Sequence, residues 1–156
     1  MFRSTSLPNW FAPVLIVCTA ITGYAHVVVR PRQSVPGAVE KYTMRVPNER
    51  TVATVRVEIT FPTAADVTAV DERPGWKLEL KKDPSGKIIG AIWSGARLAP
   101  REVVEFTFTA RNPPSETKLP WNAVQIYEDN SRSEWTGQEG SRTPASVTTV
   151  GKAPQQ

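Results

Sequence analysis

At 156 residues the chain is one domain's worth, and its 40% hydrophobic and 22% charged residues are the composition of a globular protein rather than a disordered one. One histidine and one cysteine in the whole chain exclude an intramolecular disulfide, a Cys/His zinc cluster and a CxxC redox motif. The net charge of +4 is scattered without a Lys/Arg run, which argues against nucleic acid as a partner.

The first element is a leader. Met1 to Asn9 carries a single charge, Arg3, and Trp10 to Ile21 is a mostly apolar run. Gly23 and Ala25 then stand as small residues at −3 and −1 before His26. This pattern predicts a secretory signal peptide over residues 1–25, cut between Ala25 and His26. The run is short for a membrane span of roughly 20 residues, and Pro13 interrupts it. A lipoprotein signal through Cys18 fits less well, because Val17 precedes it and Cys18 lies inside the apolar run. Cleavage takes away Arg3 and Cys18, leaving 18 basic against 15 acidic residues and no cysteine. The mature protein is expected in the periplasm or outside the cell, held together by its core alone. No second apolar stretch approaches membrane length, so no transmembrane segment is expected in it.

Strand-like alternation follows. Tyr42, Met44 and Val46 alternate with Lys41, Thr43 and Arg45 within Glu40 to Val46. Between Val55 and Phe61 the odd positions are apolar and the even ones polar. Trp76, Leu78 and Leu80 alternate with Lys77, Glu79 and Lys81, Asp83 to Gly86 reads as a turn, and Ile88 to Trp93 returns as the second arm. Val104, Phe106 and Phe108 alternate with Glu105, Thr107 and Thr109. Trp121 to Glu128, Glu134 to Thr136 and Ser146 to Val150 read as further strands. Prolines and glycines punctuate these runs, and no stretch carries a helical stripe. Short strands so spaced predict an all-β sandwich of the immunoglobulin or cupredoxin kind over residues 26–150, with a flexible tail at 151–156.

Cleavage at Ala25 makes the only histidine, His26, the first residue. A terminal histidine offers its α-amine and its imidazole Nδ1 to one metal ion in a six-membered chelate ring. Both kinds of nitrogen give up a proton to a metal near neutral pH. Two nitrogens in a plane favour Cu(II) or Ni(II) over Zn(II), and Cu(II) stands at the top of the divalent series. Without a thiolate, a blue-copper centre is excluded. Met44, the only methionine beyond the leader, falls on the inward side of its strand, which argues against a soft Cu(I) site. Val28 at the third mature position excludes the amino-terminal Cu/Ni motif that needs histidine there. The completing ligand would be a carboxylate or water. The competing possibility is that His26 merely follows the cleavage site.

Several segments together resemble the YcnI-like copper-binding domain family. They are Ala25 to Val29, Pro36-Gly37, Glu40 to Glu49, Pro74 to Lys77, Glu105 to Phe108, Trp121 to Tyr127, Glu134 to Gly137 and Thr143 to Ala145. They run in order over about residues 25–150. The resemblance implies an exported cupredoxin-like sandwich that holds Cu(II) in a single-histidine brace. On this sequence the brace would be the His26 amine and Nδ1, with the carboxylate of Glu49 from the Arg45-Val46-Pro47-Asn48-Glu49 motif. Trp135 of the Trp-Thr-Gly motif would stand beside the metal. Two departures are visible: Asp129-Asn130-Ser131 replaces the Asp-Gly turn often seen before that tryptophan, and the C-terminal membrane helix of some relatives is not expected here.

The same residues also have plainer explanations. Glu49 could be a solvated turn residue and Trp135 ordinary core. Trp76 and Trp93 read as core, and Trp121 and Tyr127 as core or site shell. Glu128, Glu134 and Glu139 are alternative carboxylates near Trp135 in sequence. The resulting expectation is an exported, non-enzymatic Cu(II) carrier in copper trafficking, acquisition or sequestration, meeting other exported copper carriers or a membrane copper transporter. A lytic polysaccharide monooxygenase needs a second histidine, which the chain lacks. The alternative expectation is a sandwich that binds a glycan or a protein through exposed aromatics such as Trp121 and Tyr127.

Overall fold

The computed structural model describes residue 1 and residues 26–152. The expected signal peptide, Met1 apart, and residues 153–156 of the expected tail lie outside the described residues. Eleven strands and no helix make up the described part. They are β1 (Val28–Arg30), β2 (Gln33–Ser34), β3 (Val39–Pro47), β4 (Thr54–Thr60), β5 (Asp66–Val70), β6 (Lys77–Lys82), β7 (Ile88–Leu98), β8 (Val103–Arg111), β9 (Thr117–Tyr127), β10 (Arg132–Trp135) and β11 (Ser146–Val150).

Hydrogen bonding follows the path β1-β3-β8-β5-β7-β4-β9-β11-β2, with β6 added to β7 and β10 to β9. The path folds back on itself, so β3 and β8 face β7, β4 and β9 as two layers. Aromatic rings bridge the layers. Tyr42 of β3 lies 4.7 Å from Trp121 of β9, and Trp93 of β7 stacks on Phe106 of β8 at 4.3 Å between centroids. Phe61 and Phe108 meet at 4.9 Å. Rings so disposed add about 0.5–1.5 kcal/mol per pair beyond their buried area.

Alternation explains the layers. Tyr42, Met44 and Val46 are buried, as are Val57, Ile59 and Phe61, and Val104, Phe106 and Phe108. The register of β4 shifts between Thr54 and Arg56. This bulge leaves Ala53 and Thr54 both buried, and Val55 only half-buried. At the edge, β6 buries little: Leu80 is exposed and Trp76 is half-buried against the core, its ring edge-on to Phe106. Beyond it, the Asp83–Gly86 turn closes as expected, with Gly86 N–H donating to Asp83 O at 2.9 Å and Gly86 at φ +86. Arg56, Glu58 and Lys81 form an ion-paired row on the outer face. Gly151 is tied to β2 by its N–H bond to Ser34 O.

Candidate metal centre

Strand β9 is 11 residues long and serves two partners in succession along one side. Its first half pairs β11, and its second half pairs β10 with Trp135 opposite Ala123 and Ser133 opposite Gln125. Cross-strand partners point to the same face, so Trp135 and Ser133 turn inward with Ala123 and Gln125. The intervening Glu134 therefore points outward.

His26 stands two residues before the start of β1, which pairs β3 with Val28 opposite Arg45. The chain before β1 therefore lies towards the end of β3, whose last residue is Pro47. The chain next runs through Asn48 to Glu49. His26 is half-buried, and its ring meets Trp135 edge-on, with centroids 5.5 Å apart and planes at 63°. Two residues 109 apart in sequence are thus brought together at one end of the sandwich.

Glu49 belongs to the same end. It is exposed on the loop after β3 and helps line a pocket with Pro47, Asn48, Arg101 and Glu102. Its neighbour Arg50 places its guanidinium 4.7 Å from the centroid of the Tyr127 ring. Tyr127 is buried, and its hydroxyl pairs with Ser133 Oγ at 3.0 Å. Burial is the main reason its phenol is pushed above the usual range. The Ser133 bond and Arg50's charge work against burial, while the charges of Glu49 and Asp129 add to it.

Two buried polar atoms near this end lack a hydrogen-bond partner among the described residues, Trp135 Nε1 and Gln125 Oε1. Also among the described residues, no group of three or more His, Cys, Asp and Glu side chains gathers to hold a metal. The potential donors named at this end are the His26 imidazole and the Glu49 carboxylate, with Glu102 lining the same pocket as Glu49. In the 156-residue chain the nitrogen of His26 is an amide; only a chain beginning at His26 would offer it as an amine.

The alternative carboxylates separate clearly. Glu128 is engaged by Arg97, whose Nε donates at 3.0 Å. Glu134 stands on the outer face against Arg132 at 3.1 Å. Glu139 is exposed beside a different cleft, shared with Arg32 and Lys118. None of the three shares the face of Trp135.

The aromatic platform expected for a glycan- or protein-binding sandwich is corrected by the structure. Trp121 and Tyr127 are 1% and 2% exposed. Their strand parity, shared with Ala123 and Gln125, turns both into the interior. Trp121 donates from Nε1 to Thr148 Oγ1 at 3.0 Å and is core. Gln125 and Asn48, both buried at the site, escaped sequence analysis; a polar residue at an inward parity position was their only signal.

A family model described as a domain of unknown function, DUF1775, matches residues 26–150. The copper-binding protein CutI of Bacillus subtilis (strain 168) is 34% identical to the chain over 152 residues, spanning 90% of this chain and 74% of CutI. Among solved structures, an uncharacterized Nocardia farcinica protein with an immunoglobulin-like fold superposes with a TM-score of 0.69 at 22% identity, covering 81% of this chain and 99% of that one. A cohesin module of a Clostridium perfringens family 33 glycoside hydrolase superposes with a TM-score of 0.54 at 12% identity, covering 80% and 93%. These two likenesses establish the immunoglobulin-like architecture.

Proposed function

The chain belongs to the DUF1775 family, the YcnI-like family, and on that premise we propose that it is an exported, non-enzymatic Cu(II)-binding protein that serves copper trafficking, acquisition or sequestration. Cleavage after Ala25 frees the His26 amine. The amine and Nδ1 chelate Cu(II), the Glu49 carboxylate completes a single-histidine brace, and Trp135 covers one side of the ion.

The observation that carries this is the His26–Trp135 ring contact at the end of the sandwich where the Glu49 loop begins. The donor set supports it. Among the described residues no three His, Cys, Asp or Glu side chains gather, and a terminal amine would add a nitrogen donor to the imidazole and carboxylate. Nitrogen and oxygen donors suit Cu(II), the oxidised form expected outside the cytoplasm. Three protein donors leave positions for water, through which an exported carrier or a membrane transporter can exchange ligands. The 34% identity to copper-binding CutI is consistent with copper as the cargo.

A competition titration with Cu(II) tests this on protein that begins at His26. His26→Ala should abolish tight binding, and Glu49→Gln should weaken it and change the paramagnetic resonance spectrum. Unchanged binding in His26→Ala would refute the brace.

A further inference from the structure

We infer that the buried amides of Asn48 and Gln125 are positioning residues for the Glu49 carboxylate, a role that rests on the brace proposed above. Glu49 itself is exposed on the loop after β3. The backbone on either side of it is held in place.

Asn48 is 1% exposed and fully engaged. Its Nδ2 donates to Val52 O at 2.9 Å and to Leu98 O at 3.0 Å, and its Oδ1 accepts from Arg50 N–H at 3.0 Å. One side chain thus closes the 48–52 loop on itself and fastens it to the end of β7. The main chain adds Asn48 N–H to Glu102 O and Arg101 N–H to Asn48 O.

Gln125 holds the preceding residue. Its Nε2 donates to Pro47 O at 3.1 Å and to Thr54 Oγ1 at 2.6 Å. A carbonyl oxygen only accepts, so the amide must present nitrogen to Pro47, and this leaves Oε1 buried without a partner. A half-satisfied buried amide is costly, so its worth lies in the bonds it does make. What Gln125 contributes is the pair of bonds to Pro47 O and Thr54 Oγ1, which join the end of β3 to the start of β4. Pro47 is also the last residue of β3, the strand that pairs β1 just after His26, so the clamp ties the carboxylate loop to the strand pair that leads to the imidazole. Partners outside the ligand sphere commonly set how a ligand meets its metal.

The test is a mutant cycle on protein beginning at His26, read by Cu(II) competition titration and electron paramagnetic resonance. Gln125→Met keeps the volume and removes both the clamp and the orphaned oxygen. Without copper it should still unfold cooperatively, its melting temperature lowered by the bonds lost at Pro47 O and Thr54 Oγ1 less what removing the orphaned oxygen returns. It should bind Cu(II) about 10–100-fold more weakly, with a spectrum shifted towards that of Glu49→Gln. In a Glu49→Gln background the same substitution should add nothing, because its effect passes through that carboxylate. Asn48→Ala carries the same cycle should Gln125→Met not fold, and in metal-free protein its Arg50 amide should exchange hydrogen faster. Unchanged affinity and spectrum, or an equal loss with and without Glu49, would overturn the positioning role. If Glu49→Gln alone has no effect, the carboxylate assignment fails, visibly in the single variant, and the positioning role fails with it.

Discussion

Trp135→Phe separates a tryptophan that serves a site from one that serves the core. Truncating a buried Trp or Phe to Ala costs about 3–5 kcal/mol, and indole to phenyl removes less than half of that side chain, so packing loses about 1–2 kcal/mol. Trp135 Nε1 has no partner, so no hydrogen bond is lost. Removing a buried unsatisfied N–H returns about 1 kcal/mol or more. The net change should be within about 1 kcal/mol, or roughly 3–6 °C in melting temperature for a domain of this size. Trp121→Phe is the internal control. Its Nε1 bonds Thr148 Oγ1, a hydroxyl that itself donates to Pro31 O at 2.7 Å. Losing that bond adds about 1 kcal/mol to the packing loss, for a total of about 2–3 kcal/mol. Thermal unfolding of metal-free protein measures both. Copper then gives the second measurement. The indole centroid is 5.5 Å from that of the His26 imidazole, so Cu(II) bound by His26 should quench it, and the quenched emission should be mostly absent from Trp135→Phe. Equal destabilisation by the two substitutions, or full quenching in Trp135→Phe, would refute the site role of Trp135.

Glu134→Gln and Glu128→Gln should leave Cu(II) affinity unchanged in the same titration, because one carboxylate is on the outer face and the other is held by Arg97; a loss in either would move the carboxylate ligand there. A separate expectation concerns acid stability. Burial works to raise the Glu58 carboxyl, but hydrogen bonds from Lys81 at 2.9 Å and Arg56 at 2.7 Å, with their charges, outweigh it and hold the group below its ordinary 4.5. A lowered carboxylate contributes stability above its ordinary value and loses it as pH falls through the lowered one. The melting temperature of metal-free protein should therefore fall more steeply below about pH 4.5 in the parent than in Glu58→Gln, and parallel curves would show that the ion pairs contribute nothing.

The long strands were legible because one face of each is buried, and β3, β4 and β8 carry the alternation that burial demands. Three strands carried no such signal. β1 has three residues, β2 has two, and β5 buries only Val67. β7 continues through Gly95 to Leu98, past a glycine at φ +83 that reads in sequence as a stop. At the site, the chelating chemistry of His26 follows from its place after Ala25, whereas its meeting with Trp135 depends on how β9 pairs β10 and β1 pairs β3. No local spacing encodes that; the family resemblance supplied it. Parity settled what sequence proximity could not: Glu134 is next to Trp135 in the chain and points the other way. Trp121 and Tyr127, read in sequence as core or site shell, are buried, so only the alternative reading of them as an exposed platform fails.

The central claim is that His26 binds copper as a first residue. Two proteins should be compared by Cu(II) competition titration with electron paramagnetic resonance, one beginning at His26 and one carrying a single additional residue before it. The extension turns the amine into an amide and removes one arm of the chelate while leaving Nδ1, Glu49 and Trp135 in place. The protein beginning at His26 should bind one Cu(II) far more tightly, with a spectrum that the extended protein does not reproduce. Equal affinity and identical spectra for the two would contradict the brace.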